Sequence, residues 1–143
     1  MNVKRLILAI VAVFVGIWVS DFLIHGVWLK QDYAASMSPW RPEAEMQARM
    51  GWLFGGELLA AVTFVVLYAR GFASMNCLGC ACAYGVCMGL FSQAATLISY
   101  AVQPLPCALV AKWFVAGVAQ GILAAVIVFL VYKPRPVVAS PAL

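Results

Sequence analysis

The sequence predicts an all-α fold, a bundle of four transmembrane helices. Three observations carry this. Hydrophobic residues make up 66% of the 143-residue chain and charged residues 10%, against roughly a quarter charged in a typical soluble domain. Four apolar runs, Leu6–Leu29, Gly51–Tyr68, Leu78–Val102 and Cys107–Tyr132, each reach or approach the ~20 residues that cross a bilayer core as a helix. Only short polar connections separate them, and backbone groups in lipid must bond within their own segment, so such runs are helical. One membrane domain is expected over residues 1–132, with helices at about 6–29, 43–69, 78–102 and 107–132. A disordered proline-rich tail is expected over 133–143.

The first run follows the basic start MNVKR and superficially resembles a signal peptide. Its apolar character continues through Phe22, Leu23, Ile24, Val27, Trp28 and Leu29, longer than a signal h-region, so a retained helix is expected. Asp21 and His25 lie four apart, hence on one face, and Trp18 and Trp28 extend that stripe. In the first loop, Ser38-Pro39-Trp40-Arg41-Pro42 breaks the chain, because a residue before proline is pushed from helical angles. Pro42 suits a first helical position, and Glu43 and Glu45 follow where the helix dipole favours acids. The second helix should therefore start in water near Pro42, with Glu45 and Arg49 paired at i, i+4. Glu57 lies within it.

The third helix is two-faced. Gly85, Gly89, Ser92, Gln93, Thr96, Ser99, Tyr100 and Gln103 recur at helical spacing on one side, with Leu90, Phe91, Leu97, Ile98 and Val102 on the other. The small and polar stripe should face protein, as packing with interhelical hydrogen bonds or as a polar cavity lining. Gln103-Pro104-Leu105-Pro106 forms a rigid turn into the fourth helix, which carries Lys112. Trp28, Trp40, Trp52 and Trp113 fall where aromatic side chains anchor a helix at the membrane interface. Three Gly-xxx-Gly spacings, Gly51/Gly55, Gly85/Gly89 and Gly117/Gly121, predict close helix contacts, within the chain or with another copy.

Four helices put both ends on one side. That side carries Lys4, Arg5, Arg70, Lys133 and Arg135, against Lys30, Arg41, Arg49 and Lys112 opposite. The excess of basic residues places both termini in the cytoplasm. The formal charge of +4 forms no nucleic-acid-type patch, and the bilayer surface is its expected partner.

At 1.5 Å per residue, Asp21 lies ~12 Å and His25 ~6 Å inside Leu29, Glu57 ~8 Å inside Trp52, Lys112 ~8 Å inside Cys107 and Thr96 ~9 Å inside Val102. All five fall in the non-cytoplasmic half. Ionisable groups at such depth usually face the bundle interior and are functional candidates. One reading is an ion-pair network in which Lys112 bridges Asp21 and Glu57 and fixes helix register. Another is proton handling, since His25 titrates near neutral pH and burial perturbs carboxyls. A metal held by His25 and the two acids matches no ligand-spacing motif, and Lys112 would oppose a cation.

Cys77, Cys80, Cys82 and Cys87 crowd the start of the third helix, with Cys107 alone opposite. A C-x-x-C pair can be a redox dithiol or half of a soft-metal site. On the cytoplasmic side thiols stay reduced, which leaves soft-metal binding by Cys77, Cys80 and Cys82, or a packing role for small apolar side chains. No C-x-x-C-H motif occurs and His25 is the only imidazole, so bis-His haem ligation within the chain is excluded and no cofactor is expected.

The stretches DFLIHGVWLKQDY (21–33), SPWRPEAEMQARMGWLF (38–54), LISYAVQPLP and ALVAKWFVAG (97–117) resemble a group of small bacterial four-helix membrane proteins. Asp21, His25, Trp40, Arg41, Pro42 and Lys112 carry the likeness. The resemblance implies a bacterial inner-membrane location and no particular activity. The sequence contains no nucleophile–base arrangement, so the first expectation is a non-enzymatic protein, acting as an oligomer or as an accessory subunit of another membrane protein. A proton- or ion-handling protein built on Asp21, His25, Glu57, Gln93, Thr96 and Lys112 comes second, and a soft-metal carrier third. Open space around Glu57 would favour the second, and a dry, fully paired network the first.

Overall fold

The computed structural model describes residues 2–36 and 40–132; the expected tail and the Ser38–Pro39 break lie outside the described residues. Among the described residues every regular element is helical. Helix α1 spans Val3–Asp21 and continues as a π-helical stretch, Phe22–Trp28. Two short helices follow, α2 (Lys30–Ala35) and α3 (Glu43–Gln47). Then come α4 (Met50–Gly71), α5 (Leu78–Val102) and α6 (Cys107–Val131). Four spans, Val3–Trp28, Met50–Gly71, Leu78–Val102 and Cys107–Val131, are long and apolar enough to cross a membrane. The fold is an all-α bundle of a multi-pass membrane protein.

Local chemistry explains the boundaries. The Asn2 side chain caps α1 by accepting from the Arg5 N–H at 3.3 Å, satisfying one orphan donor of the first turn. The second helix does not run unbroken from residue 43. Arg49 leaves helical geometry (φ −108°, ψ 9°), and its guanidinium donates to the Glu45 carbonyl at 3.2 Å and reaches the Glu45 carboxylate at 3.4 Å. A carbonyl freed by the break is thereby satisfied by the pair expected from i, i+4 spacing. Leu29, fully buried, ends the π-helical stretch and starts α2, so the chain the sequence assigns to a loop turns back over the bundle.

The bundle is tight at one end and loose at the other. Toward the end that bears Val3 and Val131, Leu6, Ala9 and Val13 of α1 pack with Ala61, Phe64, Val65 and Tyr68 of α4, with Ala81 and Tyr84 of α5 and with Ala124, Ala125 and Val128 of α6. There Tyr84 donates to the Phe64 carbonyl at 2.6 Å and its ring meets those of Phe64 and Phe72 at 4.7 Å each. Edge and tilted ring contacts of this kind add to burial.

The α5/α6 seam is built on glycine. A Cβ on Gly121 would lie 2.5 Å from the Gly85 carbonyl oxygen, and one on Gly85 2.6 Å from that of Gly121. Gly89 meets the Val118 backbone, while Gly117 makes room for the Gln93 side chain. Gly51 and Gly55 differ: a Cβ on either would meet nothing within 4 Å. Their spacing therefore serves no contact among the described residues, because α4 leans on α1 and the first-loop end of its inner face stays open. On α5, Gly85, Gly89 and Gln93 are buried, whereas Phe91, Ile98 and Val102 face outward.

Candidate functional site

The polar side chains gather in the loose half, around two adjoining cavities. The larger, about 520 Å³, lies among α1, α4, α5 and α6 and is lined by Asp21, Glu57, Thr63, Ser92 and Gln120 amid apolar side chains. Between α4 and α5 its rim carries Leu59 and Phe91, which are 68% and 78% exposed, so the cavity opens sideways toward lipid. The smaller, about 290 Å³, is bordered by Asp21, His25, Thr96, Trp113 and Gln120. Asp21, Gly117 and Gln120 are common to both.

Asp21 ends α1, where the helix widens to π geometry. Such widenings are rare and recur at functional sites. Gln120 on α6 donates through Nε2 to Asp21 Oδ1 at 2.7 Å and to Ser20 Oγ at 2.9 Å. His25 presents Nε2 to Asp21 Oδ1 at 3.8 Å, and its Nδ1 meets the Tyr33 hydroxyl at 2.5 Å. Trp113 donates its indole N–H to that same hydroxyl at 2.8 Å. Because Tyr33 Oη accepts from Trp113, its own proton is free for His25 Nδ1. Neutral His25 then carries its proton on Nε2, pointed at Asp21. Burial, and secondarily the neighbouring Asp21 and Asp32, push the Tyr33 hydroxyl above the ordinary tyrosine range, outweighing the opposite effect of the Trp113 bond. Tyr33 is therefore a donor at neutral pH. Its ring stands edge-on to Trp40 (5.3 Å, 88°), and Trp40 meets Trp113 at 5.9 Å. These three rings fasten the first loop to α6.

Glu57 reaches across from α4 to the Asp21 carboxyl. Its Oε2 is buried and has no hydrogen-bond partner among the described residues. Gln93 Oε1 is likewise buried and unpartnered, while Gln93 Nε2 donates to Ser92 at 3.3 Å. Two carboxyl groups can hydrogen-bond to each other only when one carries a proton.

Lys112 is not the partner of Glu57. It donates to Asp32 Oδ1 and Oδ2 at 2.7 and 2.8 Å, so the expected Lys112 bridge between Asp21 and Glu57 is replaced by an ion pair at the first-loop surface. The cause is the turn at Leu29, which carries Asp32 over the end of α6, where a long lysine side chain reaches the interface by snorkelling. Thr96, His25 and Asp21 share a cavity, Asp21 and Glu57 share the other, and Lys112 belongs to neither.

The thiols are free. Cys77 Sγ caps α5 by accepting from the Cys80 N–H at 3.2 Å. Hydrogen bonds from the Cys80 side chain and backbone hold the Cys77 thiol below its ordinary range. Among the described residues no three His, Cys, Asp or Glu side chains converge as a group that could hold a metal ion, Cys77, Cys80 and Cys82 included. Asp32, Tyr33 and Gln120 escaped the sequence reading. Gln120 carried a signal, since Trp113, Gly117 and Gln120 recur at i, i+4, i+7 on one face of α6.

Fold and site define a multi-pass membrane protein with an acid pair on a laterally open cavity. Compared with protein-family models, curated proteins and solved structures, the chain matches none.

Proposed function

We propose that the protein handles protons or small cations at the Asp21–Glu57 pair, in a bacterial inner membrane with both termini in the cytoplasm. Glu57 carries this reading. It lies about 10 Å along α4 from Met50, faces a second carboxyl, has a buried oxygen without a partner among the described residues and borders a cavity open toward lipid. Two like charges in such surroundings repel and are poorly solvated; a proton or cation shared between them removes both costs. The line Tyr33, His25, Asp21 supports exchange with the first-loop surface, in steps short enough for hydrogen-bonded transfer after small motions. At the other end Phe64, Tyr68 and Tyr84 close the bundle, which supports loading from one side rather than a continuous channel. The excess of Lys and Arg on the side of the termini supports the orientation.

A lipid-soluble carbodiimide, which attacks protonated carboxyls, tests this reading. Glu57 should be modified in membranes by the lipid-soluble reagent and spared by a water-soluble one, with a rate that falls as pH rises. Equal modification by both reagents, or none at Glu57, would refute it.

A second reading, self-association, is supported by the open space beside Gly51 and Gly55 and by Trp52, 84% exposed on the same helix. Disulfide trapping between copies carrying a single cysteine at position 55 tests it; absence of a trapped dimer in native membranes would remove it.

A further inference from the structure

We infer that the larger cavity is a binding site for a lipophilic organic cation of the primary alkylammonium class, entering sideways from the bilayer between α4 and α5. The inference rests on reading Asp21 and Glu57 as a pair that shares a proton, and it names what takes that proton's place.

Three features of the cavity select the ligand. Its wall is chiefly apolar, with Ile17, Phe64 and Met88 among its lining, so an alkyl or aryl body is accommodated. Its polar end holds two carboxyls: Lys112 is committed to Asp32, and among the described residues no lysine or arginine borders the cavity. Third, the groups nearest the acids are already used. Gln120 Nε2 serves Asp21 and Ser20, which leaves Glu57 Oε2 lacking a donor among the described residues. An ammonium head offers three N–H donors and one positive charge. It therefore meets both carboxyls and supplies the missing bond, which a neutral alcohol of equal length does not. The exposed rim at Leu59 and Phe91 opens toward the phase in which such amphiphiles concentrate.

The charged and titratable groups around the pair are Asp21 and His25 on the first span and Glu57 on α4. The polar side chains of α5 and α6 that line the two cavities, Ser92, Thr96, Trp113 and Gln120, carry no charge. A free alkylamine, like a lysine side chain, stays protonated well above neutral pH. Any pH dependence of its binding between pH 5 and 8 thus belongs to the protein. If the amine displaces one proton from the pair, acidification restores the competitor and binding weakens, by about tenfold per pH unit.

The test uses the full chain in lipid nanodiscs, with octylamine as probe and octanol as neutral control, read by calorimetry in buffers of differing ionisation heat. The expected result is saturable binding of one amine, release of one proton, weakening at low pH and no competition by octanol. E57Q should bind at least tenfold more weakly. Gly56 also lines the cavity and a Cβ there meets open space within 4 Å. G56L should therefore fold normally and also lose the amine, which guards against a loss caused by misfolding of E57Q. Competition by octanol, or wild-type affinity in E57Q and G56L, would overturn the inference. If octylamine fails to bind while the infrared signal of a protonated Glu57 is present, the ligand is wrong and the proton reading stands. If that signal is also missing, both fall.

Discussion

Replacing Gly121 by alanine places the added methyl 2.5 Å from the Gly85 carbonyl oxygen and 3.0 Å from both the backbone nitrogen and Cα of Gly89. Ordinary contact begins near 3.4 Å, and all three neighbours are backbone atoms, which cannot rotate away. The two helices must therefore part by close to 1 Å along the seam, losing dispersion contacts on both sides. Overpacking of this kind costs about 1–3 kcal/mol, and a rigid neighbour puts G121A at the upper end. At roughly 2–4 °C per kcal/mol for a chain of this size, the unfolding midpoint should fall by roughly 5–10 °C. Gly55→Ala is the internal control. Its methyl meets nothing within 4 Å, and alanine is the better helix former by up to ~1 kcal/mol, so stability should hold or rise. Thermal unfolding in mild detergent, followed by the loss of monodisperse protein, reads both. Equal midpoints for G121A and wild type, or equal damage from G55A, would refute the seam as the main close contact of the bundle.

The Lys112–Asp32 pair replaces the expected Glu57 partnership, so K112M and D32N should each lower the midpoint more than the double variant does; K112M combined with E57Q should be additive. Tyr33→Phe removes the acceptor of Trp113 and the donor to His25, and should cost about 1–3 kcal/mol by leaving polar groups unpaired, with a tryptophan fluorescence change reporting the freed indole. Cys77 alkylation should rise at a lower pH than that of an ordinary exposed thiol, because the thiolate form grows as pH rises through a midpoint lowered by Cys80. C80A should shift the rate profile to higher pH, and an unchanged profile would show that the Cys80 thiol has no part in it.

Much of the fold was legible because lipid reduces the choices: an apolar run of twenty-odd residues in a membrane has to be a helix. The inward stripe of α5 was legible for the same reason, since Gly85, Gly89 and Gln93 stand at helical spacing among large aliphatics. Partner choice was not. Depth counted along straight helices sets Glu57, Asp21 and Lys112 level, but it says nothing of azimuth, and the π-helical stretch after Asp21 rotates everything that follows. Asp32 and Tyr33 could not be seen as inward-facing for that reason, because their place depends on the turn at Leu29. The glycine spacings look alike in sequence and differ in space: Gly85 and Gly121 face each other, while Gly51 and Gly55 face none of the described residues. Only the neighbour's position decides whether a small residue is a contact.

The shared proton is the centre of this account, and infrared difference spectroscopy of the protein in nanodiscs reads it most directly. The chain has five acidic side chains, so a protonated-carboxyl band can be assigned by single substitutions. At neutral pH the wild type should show that band, E57Q should lack it, and D21N should shift it by removing the facing carboxyl. A wild-type spectrum with every carboxyl ionised at neutral pH, or a band that survives E57Q unchanged, would contradict the account.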